Sequence, residues 1–561
     1  MIEEKRIGVF ICRCGNNIGD VVDVPYLVDE IKSIPEVVYT EENYYTCSEE
    51  GLNSIKNMIY EKNLNRVIVA ACTPRTHEWL FQKVCEEAGL NKYLFEFVNI
   101  REQCSWIHST EKEKATEKAK NLIKMGISKA KLLKPLKDIR SEIYPSALII
   151  GCGIAGITAA LNLANQGIQV HIVEKENICG GLLTEINKLY QTSLPASNFL
   201  DEKIKNLIKN RNINIHLKSQ VKDVSGYIGN FEVLIQNEKK IKTIKAGVII
   251  VATGALELKP YGLYKYKEID GVITQLELEK MLKYNSFKAE SVVVINCVGA
   301  RNEVRGYCGR ICCITSLKNS IIIKEMNPDT EVYILYRDIM AYGRELENYY
   351  KKARKIGINF IKYSPDNLPE ISLNEETIDV YVLNEITGKG INLQVDYVIL
   401  TTPLIPADDN TELSKKLKVP LTNDGFYLEA HQKLRPVEFA NEGIYLCGTA
   451  RYPSNITETV LQAYAAASKA SIPVKKGYVE TSGNIAYCDE ELCSGCGNCF
   501  FVCPFEAISI KKDAENKTKP EIIGIKCRCC GLCVSVCPDG AMQQNSFSDK
   551  QILSMIKTMD E

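Results

Sequence analysis

Residues 147–156, Ala-Leu-Ile-Ile-Gly-Cys-Gly-Ile-Ala-Gly, restrict the fold more than any other stretch of this chain. The apolar run 147–150 reads as a buried parallel strand. Gly151, Gly153 and Gly156 then spell Gly-x-Gly-x-x-Gly, and residues 157–165 continue as an apolar helix. In such a unit the first glycine makes the tight turn and the second lets backbone approach a pyrophosphate. The third lets helix pack on strand, and the helix start, here Ile154 and Ala155, faces the phosphate charge. A second strand over 169–173 ends in Glu174, placed to accept hydrogen bonds from a ribose, with Lys175 next to it. The stretch binds a dinucleotide.

A chain of 561 residues is too long for one core, and a length prior of about three or four domains applies. With 69 basic and 70 acidic residues the net charge is −1, so nothing steers it towards nucleic acid or an anionic membrane. No apolar run reaches transmembrane length, and the opening Met-Ile-Glu-Glu-Lys does not resemble a signal peptide, so the expected location is cytoplasmic. The outlying number is 23 cysteines. In a large chain without an export signal, clustered thiols more often bind metal or do redox chemistry than form disulfides.

Residues 1–140 alternate strand and helix patterns, which predicts a small doubly wound α/β domain. The dinucleotide half covers 141–274 and resumes over 392–478. Between them, 275–391 has the strand–helix–strand pattern of an inserted second lobe. A domain interrupted in this way is the layout of two-dinucleotide flavin reductases, so the expected fold is α/β, a thioredoxin-reductase-like two-lobed core. Residues 484–545 form a separate cysteine-rich α+β module, followed by a short polar tail.

That module carries the most specific motif. Cys493, Cys496, Cys499 and Cys503-Pro504 spell C-x2-C-x2-C-x3-C-P, and Cys527, Cys530, Cys533 and Cys537-Pro538 repeat it. Three thiolates on one tight loop grip three irons of a cubane, while the fourth is turned towards the other cluster. One [4Fe–4S] cluster is therefore assigned to Cys493, Cys496, Cys499 and Cys537, the other to Cys527, Cys530, Cys533 and Cys503. Zinc is the alternative, but two quartets each ending in proline leave it little room. Cys488 and Cys529 fall outside the register and read as free thiols.

Where the inserted lobe should show a nicotinamide glycine loop, after the strand 292–295, the chain instead has Cys297, Cys308, Cys312 and Cys313 within seventeen residues. Four thiols at a strand–helix turn could chelate a further cubane. They could equally form a redox disulfide or be buried structural thiols, since this is not a standard iron–sulfur spacing. In the N-terminal domain Cys12, Cys14, Cys47, Cys72 and Cys104 all follow strands or precede helices, which puts them on the carboxyl rim of a parallel sheet. Five thiols there could supply four for a cluster, or remain a reduced set without metal. Cys85 reads as core, His77 and His108 as structural or supporting residues, and Cys152 and Cys447 as small apolar residues packed near the cofactor.

The chain resembles the HdrA family, the flavin-containing iron–sulfur component of heterodisulfide reductase. Matching stretches are Arg-Ile-Gly-Val-Phe-Ile-Cys-Arg-Cys-Gly-Asn-Asn-Ile from Arg6, Arg-Val-Ile-Val-Ala-Ala-Cys-Thr-Pro-Arg-Thr-His-Glu from Arg66, and Asn-Ile-Arg-Glu-Gln-Cys-Ser-Trp-Ile-His from Asn99. The block 297–313 and the segment 442–470 match as well. The resemblance implies that the dinucleotide is FAD and that Cys297, Cys308, Cys312 and Cys313 hold a [4Fe–4S] cluster. It also implies that Lys318 sits near the flavin ring, where its charge would favour the anionic reduced form. Gly180, Gly181 and Leu182 resemble the flavin loop that follows the ribose-binding acid, and Ala252-Thr253-Gly254 follow the return strand. Gly448, Thr449, Pro453 and Ile456 resemble the closing flavin contact, although Gly-Thr replaces the usual Gly-Asp. Methanogen members often carry an extra ferredoxin module after a stretch like 224–233; this chain runs straight on, so it is a short form.

The function so implied is that of an electron-transfer subunit of a heterodisulfide-reductase-like complex. Flavin-based electron bifurcation would link a donor to a disulfide-type acceptor and to low-potential ferredoxin. The implied partners are other redox subunits, ferredoxin and an electron-donating hydrogenase or dehydrogenase, with the chain a homodimer. Two alternatives stand beside it. One is a self-contained NAD(P)H-dependent flavin disulfide reductase with an appended ferredoxin domain, against which the missing second glycine loop counts. The other is a non-enzymatic redox sensor or scaffold.

Overall fold

The computed structural model describes residues 4–190, 192–238, 240–375, 377–512 and 516–559. The first three residues, on which the expectation of a leader-free start partly rests, lie outside them. The chain divides into two units, residues 1–140 with 480–561, and residues 141–479.

In the first unit the apolar runs Ile7–Cys12 and Arg66–Ala71 are buried at every position, as central strands of a sheet covered on both faces must be. They form a four-stranded parallel sheet in the order Val37–Asn43, Ile7–Cys12, Arg66–Ala71, Phe95–Asn99. Helices Val24–Lys32, Glu49–Glu61, Pro74–Glu87 and Lys112–Lys131 connect and cover it. The cysteine-rich segment of the same unit holds two short antiparallel ladders, Ala486–Cys488 with Met542–Gln544 and Ile508–Lys512 with Thr518–Ile522. The helices Asn498–Val502 and Leu532–Ser535 sit between the ladder strands in sequence. The expected polar tail is instead the helix Asp549–Lys557, whose Ser548 and Gln551 form a capping box. Gln551, almost fully buried, donates to the Leu132 carbonyl at 3.4 Å, and Thr558 meets Ser128 at 2.7 Å, which fastens this helix to Lys112–Lys131.

The second unit repeats one plan twice. Its first lobe has a five-stranded parallel sheet in the order Ile444–Leu446, Val248–Val251, Ser146–Ile150, Gln169–Val173, Ile213–His216. The antiparallel sheet Ser219–Tyr227, Asn230–Asn237, Lys240–Ala246 accompanies it. The second lobe has the parallel order Val272–Thr274, Tyr397–Leu400, Ser291–Ile295, Glu331–Tyr336, Asn359–Lys362. Its own antiparallel sheet is Glu370–Asn374, Thr377–Asn384, Lys389–Val395. The two crossings between lobes pair with each other, Ala255–Glu257 against Leu404–Pro406. In each lobe the strand that opens the βαβ unit aims its carboxyl end at a helix start, and both candidate sites lie there.

Candidate functional site

At the end of Ser146–Ile150, Gly151 has φ of 106°, and a Cβ on it would lie 2.3 Å from the Ala252 carbonyl oxygen. A Cβ on Gly156 would lie 2.0 Å from the Gly151 oxygen, so these two glycines serve the protein's own packing. Gly153 differs: nothing lies within 4 Å of a Cβ placed there, at the N-cap of helix Ile154–Asn165. This open face beside the N–H groups of the helix start is where a pyrophosphate fits. Glu174, 9% exposed, accepts from the Cys152 N–H at 2.6 Å and from the Glu176 N–H at 2.9 Å. A carboxylate has further lone pairs, so ribose hydroxyls can still be accepted.

Gly180 donates to the Cys152 carbonyl at 2.7 Å and forms an isolated bridge with Gly153, which brings the Gly180–Gly181 turn against the fingerprint. Leu182 packs with Tyr307 and Ile311 against Ala255, Leu404 and Phe426. The buried Thr253 hydroxyl has no hydrogen-bond partner among the described residues, and Gly254 faces Thr449. A Cβ on Gly448 would press on Ala155 at 2.8 Å, so this turn is packed on the fingerprint helix. Pro453 leads to Asn455, which caps helix Ile456–Lys476 in a capping box with Glu458. Open space at Gly153, the satisfied Glu174 and the unpaired Thr253 fit a dinucleotide. Lys175 pairs with Asp409 at 3.3 Å, on the exposed side of this turn.

One expectation for this loop fails. Cys152 is not a lone apolar packing residue but is disulfide-bonded to Cys179, with Cα atoms 4.9 Å apart. The two residues lie 27 apart in sequence, on loops whose contact only the folded sheet creates. Cys447 does behave as an apolar residue: it is fully buried, and burial pushes its thiol up to about 12.

In the second lobe, Cys297 follows the strand Ser291–Ile295, and Cys312 and Cys313 open helix Cys312–Met326. These three and Cys308 line one hollow with Arg301, Arg310, Asp338 and Met340. Burial pushes the Cys312 thiol well up, and the neighbouring thiols push it further; Cys313 is raised to about 11 by burial. For Cys297, burial raises the thiol while Arg301 and Arg337 oppose it. Left alone, these thiols stay protonated and neutral; it is their placement, four sulfurs lining one hollow at a strand–helix turn, that makes them a donor set a cluster could take, its cationic irons displacing the protons.

The C-terminal segment sorts its cysteines across the repeat. Cys493, Cys496, Cys499 and Cys537 line one hollow, while Cys503, Cys527, Cys530 and Cys533 line another. Cys529 borders the second hollow and accepts from Gln544 at 3.1 Å.

In the N-terminal domain, Cys12 accepts from the Cys14 N–H at 3.3 Å and the Thr46 N–H at 3.4 Å, and Arg101 donates to Cys14 at 3.5 Å. Burial raises Cys47 and Cys72, the latter to about 11, and the neighbouring Cys12 and Cys14 push both in the same direction. These four gather at one rim. Cys104 does not join them: the helical turn Arg101–Ser105 carries it beneath Lys112–Lys131, where its thiol donates to the Ala115 carbonyl at 2.9 Å. Cys85 is fully buried in Pro74–Glu87, as a core residue. His108 lies 3.2 Å from Lys118, and its N–H donates to the Cys104 carbonyl at 3.0 Å, on the side of Cys104 rather than of the rim cysteines.

Lys318, 5% exposed, is ion-paired to Glu279 and donates to the Lys188 carbonyl at 3.0 Å. Glu279 also accepts from the Asn187 N–H at 2.9 Å. Burial pulls the lysine's proton affinity down and Glu279 pulls it up. Sequence reasoning missed Glu279. No spacing links it to Lys318, 39 residues away.

Two lobes of this topology, with a fingerprint in one and a cross-paired thiol module beyond them, define a flavin disulfide-reductase-type core joined to a dicluster ferredoxin domain. The matching family models agree: pyridine nucleotide-disulphide oxidoreductase over residues 145–470, and 4Fe-4S dicluster domain over 492–541. The chain is 36% identical over 611 aligned positions to the A-type subunit of the H(2):CoB-CoM heterodisulfide,ferredoxin reductase of Methanothermobacter thermautotrophicus, covering 92% of each. It is 37% identical to the first A-type iron-sulfur subunit of the CoB--CoM heterodisulfide reductase of Methanopyrus kandleri, covering 99% of this chain and 98% of that one. Lactococcus lactis thioredoxin reductase matches 59% of this chain and 100% of its own at 19% identity, with a TM-score of 0.43. The chain belongs to the HdrA family of heterodisulfide reductase components. It is an oxidoreductase that uses FAD and [4Fe–4S] clusters in electron transfer. The alignments run over more positions than this chain's 561 residues, so those relatives carry segments it lacks. Among the described residues no helix is long and apolar enough to cross a membrane.

Proposed function

We propose that this chain is the electron-distributing member of a heterodisulfide-reductase-like complex and performs flavin-based bifurcation. FAD is held by the fingerprint Gly151–Gly156, Glu174, the Gly180–Gly181 turn, Thr253-Gly254 and the Gly448–Ile456 closure. When bound it takes up electrons as a pair and releases them singly. Lys318, held by Glu279, supplies positive charge from the second lobe. Cys297, Cys308, Cys312 and Cys313 hold one cluster, the cross-paired C-terminal quartets hold two, and Cys12, Cys14, Cys47 and Cys72 hold a fourth. Over two donor pairs, two electrons and two protons convert a disulfide-type acceptor into two thiols, while the other two electrons reduce two ferredoxin equivalents. A hydrogenase or dehydrogenase subunit is the donor, and the chain works as a homodimer.

The observation that carries this reading is the thiol quartet at the end of Ser291–Ile295, in the place a nicotinamide glycine loop would take. Iron and flavin analysis of anaerobically purified protein should find about sixteen irons and one FAD per chain. Cys308→Ser should remove about four irons and leave the ferredoxin-module clusters spectroscopically intact. Unchanged iron in that variant, or rapid bleaching of the flavin by NADH in the isolated chain, refutes the reading.

A further inference from the structure

The cysteine pair in the dinucleotide loop has no role in the path just described. Cys152 stands inside the fingerprint, between Gly151 and Gly153, and its partner Cys179 directly precedes the Gly180–Gly181 turn. The bond therefore ties together the two turns that flank the open face at Gly153. Beside it, among the described residues, the turns are joined by the Gly180 N–H to the Cys152 carbonyl, the Gly153–Gly180 bridge and the close approach of Gly181 to the Gly153 backbone. The segment leading to Cys179 is exposed from Lys175 to Ile178, with Ile178 at 57%, and is anchored mainly through Glu176, which bonds Glu174 and Lys218. Cys152 is fully buried, whereas Cys179 is only partly buried and ends the exposed run 175–178, so it is the more accessible of the two to an incoming thiolate.

We propose that Cys152 and Cys179 form a thiol–disulfide exchange site, reduced by low-molecular-weight thiols or protein dithiols, and that its redox state sets the affinity for FAD. An external thiolate attacks the Cys179 sulfur, forming a mixed disulfide and releasing the Cys152 thiolate, which takes a proton. A second external thiol resolves the mixed disulfide, leaving Cys179 as a thiol and one external disulfide. Two electrons pass from two external thiols to the pair, and no other oxidant or reductant enters. Closed, the bond holds the Gly180–Gly181 turn against the fingerprint in the geometry that receives the pyrophosphate; open, FAD binding must itself order that turn. The effect is reciprocal: whatever factor the closed bond adds to FAD affinity, bound FAD adds to the resistance of the bond to reduction. The proposal rests on these turns being the FAD site.

The test uses the full chain, anaerobic and with its clusters, stripped of and reloaded with FAD. FAD affinity is measured with the pair oxidised and reduced. The exchange equilibrium with a glutathione redox buffer is measured by alkylation and mass, with and without saturating FAD. Both ratios should be equal and on the order of tenfold, within the usual range for coupled sites. Cys179→Ser should bind FAD like the reduced wild type and ignore added thiol. Ratios near one, unequal ratios, or a pair that never oxidises in the buffer overturn the proposal. Gly153→Ala separates the two layers: if it binds FAD normally, the site reading itself fails. If it loses FAD while thiols change nothing, only the exchange site fails.

Discussion

Gly153→Ala isolates cofactor binding from folding better than any other change in the fingerprint. Gly153 has φ −75° and ψ −179°, extended backbone open to every residue, and its missing Cβ has no neighbour within 4 Å. Without cofactor, the substitution should therefore stabilise the fold by about 0.4–1 kcal/mol, because alanine narrows the unfolded ensemble. At about 2–4 °C per kcal/mol, the apoprotein should melt no lower than wild type and up to a few degrees higher. With FAD the methyl group occupies the face through which the pyrophosphate reaches the N–H groups at the start of Ile154–Asn165. Losing two charge-assisted hydrogen bonds at about 1.5–3 kcal/mol each weakens binding by about 3–6 kcal/mol, at least a hundredfold. Fluorescence titration of the stripped protein with FAD measures the second quantity, and thermal unfolding without FAD the first. Gly156→Ala is the internal contrast: its Cβ would lie 2.0 Å from the Gly151 oxygen, so the apoprotein itself should lose stability. FAD affinity within about threefold of wild type in Gly153→Ala would refute the placement of the pyrophosphate. A clear drop in apo melting temperature would refute the reading of open space.

Glu279→Gln leaves Lys318 buried beside a neutral partner, which should cost about 3–5 kcal/mol in thermal unfolding. Lys318→Met with Glu279→Leu should recover most of that loss without restoring electron transfer, and a double-mutant cycle on both readouts checks it. His171 and His216 stack at 3.2 Å between ring nitrogens on neighbouring strands, facing Lys242, and burial lowers both, His216 to about 4. The unfolded chain binds these protons near pH 6.5 and the folded one does not. Stability is therefore full above that pH and lost as pH falls towards about 4. Urea midpoints at pH 7 and pH 5 should diverge more for wild type than for His216→Gln. In the N-terminal domain Cys72→Ala should lower iron content by about four per chain while Cys104→Ala leaves it unchanged, measured on the whole protein.

What could be read ahead of the structure depended on how far apart the interacting residues lie. The fingerprint was legible because strand, turn and helix are contiguous, so three glycines and an apolar run state their geometry within one stretch. The way Cys537 lines the hollow of the first cysteine triplet and Cys503 that of the second follows a similar rule: each motif loop is too short to bring its own fourth thiol back, and the repeat supplies the other place for it. Beyond that range only topology decides. Cys104 follows a strand of the same sheet as Cys72, but one extra-wide helical turn at Arg101–Ser105 rotates it under a helix instead of onto the rim. Residues 549–557 read as a polar tail because the helix buries little besides Gln551, and what fixes it lies more than 400 positions earlier, at Ser128 and Leu132. Cys152 looked apolar because nothing local distinguishes a buried thiol from a bonded one. Its partner is identified only when β-pairing of Ser146–Ile150 with Gln169–Val173 sets their following turns side by side. The same pairing places Glu174 against the Cys152 N–H, so a single strand register fixes this carboxylate and the disulfide together. A one-residue slip in that register would turn both away from Gly153, so disulfide closure and the proposed FAD site depend on the same pair of strands.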